Sequence, residues 1–233
     1  MQAENAGPMV GRSQPERDEV LTADRLTVLD HPLVDSLLTT IRDGRSDSAS
    51  FGRAARQLAT FALWEASRTL ATETVSVPGF DGSQLQLRTV TSPPAGVSIL
   101  RAGEVFAAPF RALFPTAPLF HLGIRRDEET LKHHPYVDTI SAPLTAQRVF
   151  VLDPMLATGG SVLVAVEHVR RVYAGPLDVI ALVAAPLGVQ VALASDERVR
   201  VFTAALDERL NEQGYILPGL GDAGDRFFGT APH

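Results

Sequence analysis

Val149-Phe150-Val151-Leu152-Asp153-Pro154-Met155-Leu156-Ala157-Thr158-Gly159-Gly160-Ser161 joins a strand to a helix. Val149 to Leu152 is a short apolar run rich in β-branched residues, the pattern of a buried strand. Asp153 and Pro154 end it. Val162, Val166, Val169 and Tyr173 then recur at helical spacing and define one buried face. Between the two, glycines let the backbone turn tightly and bring its N–H groups close to a ligand. Thr158 and Ser161 add hydroxyl donors. A helix N-terminus offers free N–H groups and a positive dipole end, so the fitting ligand is an anion, best a phosphate. Asp153, at the strand's carboxyl end, is placed to accept from sugar hydroxyls. The same glycines would also serve a plain strand-to-helix turn. No Lys follows them, so this is not a Walker A loop, and the G-x-G-x-x-G spacing of a dinucleotide site is missing.

Working outward, apolar strands alternate with helices. Strands are predicted at 26–29, 72–78, 84–90, 97–100, 119–124, 179–184 and 199–205. Helices are predicted from Asp30, as N-cap, to about residue 43, then over 50–70, 107–114 and 189–194. This alternation predicts an α/β fold with a mostly parallel central sheet flanked by helices. The first two helices form an N-terminal helical arm, which packs on a partner subunit or covers one face of its own sheet. Residues 1–22 lack periodicity and read as a disordered tail, leaving 23–233 as a single domain. The polar stretch 128–137 reads as a β-hairpin hood. In parallel sheets ligands bind beyond the carboxyl ends of the strands. Arg101, Arg126, Asp153 and Asp207 all fall there.

A second signal lies near the C-terminus. Tyr215 to Arg226 holds three glycines, one proline and two acids in twelve residues. The backbone of such a shaped loop can read the edge of a flat base. A coil built from turn residues is the alternative.

The formal charge of −6 argues against a sequence-independent nucleic-acid binder, which needs a basic surface. With no cysteine, disulfides and zinc–thiolate sites are excluded. The histidines lack metal-site spacing, so no metal is assigned to protein ligands alone. No apolar run reaches the roughly 18 residues of a membrane span, and no basic-then-apolar leader opens the chain. A cytoplasmic protein is expected.

The acid followed by Thr-Gly-Gly-Ser resembles the loop of the type I phosphoribosyltransferases, which bind 5-phosphoribosyl-1-diphosphate (PRPP). The run Asp153 to Ser161 is similar to that of the uracil phosphoribosyltransferase family in particular. So are His31-Pro32-Leu33, Ile99 to Gly103, Arg126 to Leu131, Leu210-Asn211-Glu212 and Gly214 to Arg226. The resemblance implies transfer of a phosphoribosyl group to uracil, giving UMP and diphosphate. It implies that Arg101 and Arg126 contact the diphosphate. Asp153, Pro154, Met155, Leu156, Ala157, Thr158, Gly159, Gly160 and Ser161 would hold the ribose 5-phosphate. Ile216 and the Gly221, Asp222 and Ala223 backbone would hold uracil. Asp222 would also face PRPP and its Mg²⁺, which arrives with the substrate. Arg101, Arg126, Asp153 and Asp222 are the catalytic candidates. A homodimer or higher homo-oligomer, and GTP as an effector, belong to the same set of expectations. Glu104, Val105 and Phe106 depart from the family pattern beside the diphosphate. That departure motivates an alternative, a non-catalytic regulatory protein that binds UMP or PRPP.

Overall fold

The computed structural model describes residues 24–126, 133–142 and 144–230. The expected tail over 1–22 and the first part of the hood, 128–132, lie outside the described residues.

Eight strands form one sheet in the order β1 (Leu26–Val28), β10 (Val199–Leu206), β9 (Leu177–Ala184), β7 (Val149–Leu152), β4 (Ala95–Leu100), β5 (Leu119–Arg126) and β6 (His133–Asp138), with β8 (Met155–Leu156) added to β9. All pairings are parallel except β5 with β6. β9 is buried along its whole length, which is why it reads as an unbroken apolar run rather than an alternating one. The chain steps outward from β4 to β5, then returns to β7 and moves the other way through β9 and β10. The direction of winding therefore reverses between β4 and β7, and such a reversal opens a crevice at the strands' carboxyl ends.

Two helical layers cover the sheet. On one face α1 (Pro32–Arg42), α2 (Ser48–Ser67) and α3 (Ala107–Leu113) bury Phe51, Leu58 and Leu63 with Phe106, Phe110 and Phe150. Of the two readings for the N-terminal helices, the structure has them covering their own sheet. On the other face α4 (Gly160–Arg170) and α5 (Pro186–Ser195) pack Val162, Val166 and Val189 against Val151, Val179 and Val201. A fully buried side chain of this size contributes roughly 1.5–3 kcal/mol.

Several boundaries differ from the sequence reading. The N-cap of α1 is His31, not Asp30, and its Nδ1 accepts from Leu33 N–H at 3.1 Å. Pro32 opens the helix and holds the residue before it extended, so the cap falls on 31. Asp47 caps α2 by accepting from Ser50 N–H at 2.7 Å, which starts that helix at 48 rather than 50. Helix α5 begins at Pro186, with proline again in the first turn.

β2 (Thr72–Pro78) and β3 (Gln84–Val90) form a separate antiparallel hairpin. Val75 pairs with Leu87 and Val77 with Leu85, giving one apolar face. Every residue of β3 is exposed, and so is Phe80 in the turn. Among the described residues no helix is long and apolar enough to cross a membrane.

Candidate functional site

The crevice is lined by three segments that the sheet brings together. The first follows β7. Asp153 is 9% exposed, and its Oδ1 receives a long contact from Met155 N–H at 3.4 Å. Burial pushes its carboxyl up to about 7, against 3.8 for an ordinary aspartate, and the Met155 contact only partly opposes this. Met155 and Leu156 then pair with β9 as the two-residue strand β8. Gly159 is the N-cap of α4 with φ of +81°, and no side chain caps the helix. A Cβ at Gly159 would meet Val191 at 2.8 Å, so this position needs glycine twice over. The Gly160 N–H reaches only as far as Thr158 Oγ1, at 3.5 Å. The helix mouth is thus left without a strong side-chain acceptor, the condition under which it serves an anion.

The second segment follows β4. Arg101 precedes a 3₁₀ turn over Ala102–Phe106 and has an exposed side chain. Its Nη2 lies 3.3 Å from Asp225 Oδ1. Glu104 lies in the same turn, its N–H donating to the Arg101 carbonyl at 3.1 Å.

The third segment is the C-terminal loop. β11 (Arg209–Leu210) pairs with β12 (Ile216–Leu217) around a turn in which Asn211 Oδ1 accepts from Gln213 and Tyr215 N–H groups at 3.0 and 2.9 Å. A Cβ built on Gly214 would lie 3.7 Å from Thr158 Cγ2, so this turn sits beside the Thr158–Ser161 loop. Ile216, Leu220 and Ala223 are buried in the core shared with α2. Asp222 then caps α6 (Ala223–Phe228), its Oδ1 accepting from Asp225 N–H at 2.8 Å. Asp225 also accepts from Thr230 Oγ1 at 2.6 Å.

Arg101, Asp153 to Ser161, Ile216 and Gly221 to Ala223 therefore converge on one end of the sheet. Arg126 is the last residue of β5, which ends at that same edge. The coil alternative for Tyr215 to Arg226 is corrected: the stretch contains β12 and the start of α6. Asp207 proves to face the loop from beneath, and Arg42, Asp225 and Arg226 were not singled out at all. Arg42 meets Asp207, and Arg226 meets Ile41 and Asp43, across more than 160 residues, so of these contacts only the cap spacing of Asp222 and Asp225 was open to a reading of the sequence.

Among the described residues no three His, Asp or Glu side chains gather to hold a metal ion. Asp153 and Asp222 are hard oxygen donors. They suit Mg²⁺ that comes bound to phosphate oxygens better than a resident ion needing a full protein cage.

Comparison with known proteins agrees with this geometry. The family model described as uracil phosphoribosyltransferase matches residues 28–230. A uracil phosphoribosyltransferase from Streptomyces avermitilis is 45% identical over 210 residues, covering 89% of this chain and 99% of the relative. One from Pediococcus pentosaceus is 41% identical over 206 residues, covering 88% and 99%. The solved structure of the AQ2163 protein from Aquifex aeolicus superposes with a TM-score of 0.83 at 31% identity, covering 89% of this chain and all of that one. The family match across residues 28–230 and relatives more than 40% identical over nearly their whole length show that the chain belongs to the uracil phosphoribosyltransferase family.

Proposed function

We propose that the protein joins uracil to the ribose of PRPP, giving UMP and diphosphate. One observation carries this most directly. The uncapped mouth of α4, led by Asp153, lies against the turn that opens the base loop. A 5-phosphate held at the mouth would place its ribose between the two. The C1–oxygen bond to diphosphate breaks as the bond from C1 to uracil N1 forms, and the N1 proton is released.

In this reading the amides of Thr158 to Ser161 hold the 5-phosphate, and Asp153 accepts from the ribose hydroxyls. Arg101 and Arg126 take the diphosphate, and a guanidinium can grip two of its oxygens at once. Ile216 and the backbone groups at Gly221 to Ala223 hold uracil. Mg²⁺ supplied with PRPP would neutralise charge on the leaving diphosphate, with Asp222 facing it. The chain's own work is positioning and a fixed electrostatic field. Incubation with uracil, PRPP and Mg²⁺ should release UMP, measured by chromatography. No UMP at high protein concentration would overturn the reading.

A homodimer or larger homo-oligomer is part of the proposal. The β2–β3 hairpin supports it, because an isolated two-stranded hairpin is at best marginal in water. Leu85 and Leu87 are 42% and 49% exposed on its apolar face. Replacing both by Ser should shift the sedimentation coefficient towards that of a single chain; an unchanged coefficient would refute this use of the hairpin. GTP as effector rests on the family alone and is tested by titration into the assay. A cytoplasmic location suits the soluble substrates.

A further inference from the structure

The base loop is held from behind by groups that do not line it. Asp207 follows β10 and is 5% exposed. Its carboxylate receives both Nη atoms of Arg42, at 2.6 and 2.9 Å. Asp207 Oδ2 also accepts from the Gly219 N–H at 2.7 Å. Arg42 Nη1 in turn donates to the Gly219 carbonyl at 3.0 Å. A single ion pair thus grips both backbone groups of Gly219, which lies between Ile216 and Gly221.

A second arginine repeats the tie. Arg226 Nη1 donates to Leu220 O at 2.7 Å and also to Ile41 O, and its Nη2 donates to Asp43 O at 2.8 Å. Its guanidinium lies over the Phe51 ring, 4.5 Å from the centroid. The last turn of α1 is therefore a backing plate for the loop. A bidentate ion pair that binds the N–H and the carbonyl of one residue, in two successive peptide groups, is more than packing requires, because apolar side chains such as Ile216 and Leu220 already seat the loop in the core.

We propose that Arg42 and Asp207 are positioning residues for base recognition: through Gly219 they fix the spacing between Ile216 and the Gly221–Ala223 backbone. The proposal rests on the reading that this loop takes uracil. A purely structural role would lower stability and leave the remaining folded protein with ordinary substrate affinities. A positioning role separates the two substrates, because Arg42 and Asp207 support the base loop and not the phosphate loop.

The test is steady-state kinetics on Arg42→Lys and Asp207→Asn. Asn keeps an acceptor for the Gly219 N–H but removes the charge. KM for uracil should rise about tenfold to a hundredfold, with KM for PRPP within about twofold of wild type. Wild-type activity with unchanged uracil KM in both variants would overturn the proposal alone. Absence of UMP from the wild type would overturn it together with the reading it rests on. Should a single variant fail to fold, the double variant Arg42→Gln, Asp207→Asn leaves no unpaired buried charge and should show the same split. Independently of any variant, the Gly219 amide of the wild type should exchange with deuterium slowly. Exchange as fast as in an exposed coil would overturn the proposal.

Discussion

Asp153→Asn should lower kcat/KM for PRPP by about tenfold to a hundredfold, the loss expected when a charged acceptor of hydroxyl hydrogen bonds becomes neutral. The same change should stabilise the free protein at alkaline pH. Burial holds the Asp153 carboxyl at about 7, far above the 3.8 of an ordinary aspartate. Between those values the folded protein keeps a proton that the unfolded chain has lost. This group's contribution to stability is therefore fully present below about pH 4 and is lost as pH rises to about 7. The loss is on the order of a few kcal/mol for a group this buried. Binding should run in the opposite sense, because the ribose hydroxyls need the carboxylate. KM for PRPP in the wild type should fall as pH rises through 7, with a much flatter profile in Asp153→Asn. Thermal melts of the free protein and kinetics across pH 5 to 9 check both slopes. Parallel profiles for the two proteins would show that Asp153 does not titrate in this range.

The second large effect is expected at Gly219. Its φ is +61°, and a Cβ there would fall 2.0 Å from the Ile216 carbonyl oxygen. Backbone cannot move aside as a flexible side chain can, so Gly219→Ala must displace the loop. Gly221 has a φ of +80°, yet a Cβ there would meet only Arg226 Cδ, at 3.7 Å. Gly221→Ala bears the left-handed strain alone, about 1–2 kcal/mol. Gly219→Ala should therefore abolish measurable uracil saturation, while Gly221→Ala should weaken it by roughly one order of magnitude, in line with that strain. Titration of both variants with UMP by calorimetry measures the difference. Equal behaviour would show that the loop is softer than its contacts imply.

What could be read from the sequence was local. The stretch from Val149 to Arg170 is a strand, a glycine pair and a helix in nearly consecutive residues, and each announces itself by period and composition. The β2–β3 hairpin was legible over its full extent because two runs flank a Gly79 to Gly82 turn. β8 was not legible, since a two-residue strand exists only by virtue of pairing with β9. Helix α6 was hidden because Gly224 and the glycines before it resemble coil, and its stability comes from Asp222 and from Ala223 seated in the core. The Arg42–Asp207 pair spans 165 residues, and nothing near either residue points to the other. Asp207 drew notice for its place after a strand, but its task appears only when α1 is folded back against it.

The hairpin turn has a practical consequence. Phe80 is fully exposed at its tip, and a Cβ on Gly82 would meet nothing within 4 Å. A fluorophore or short epitope inserted there would leave the eight-stranded sheet untouched. Quenching between labelled copies would then report association, while turnover measured in the same tube would report chemistry, so the two could be separated without altering a residue of the crevice.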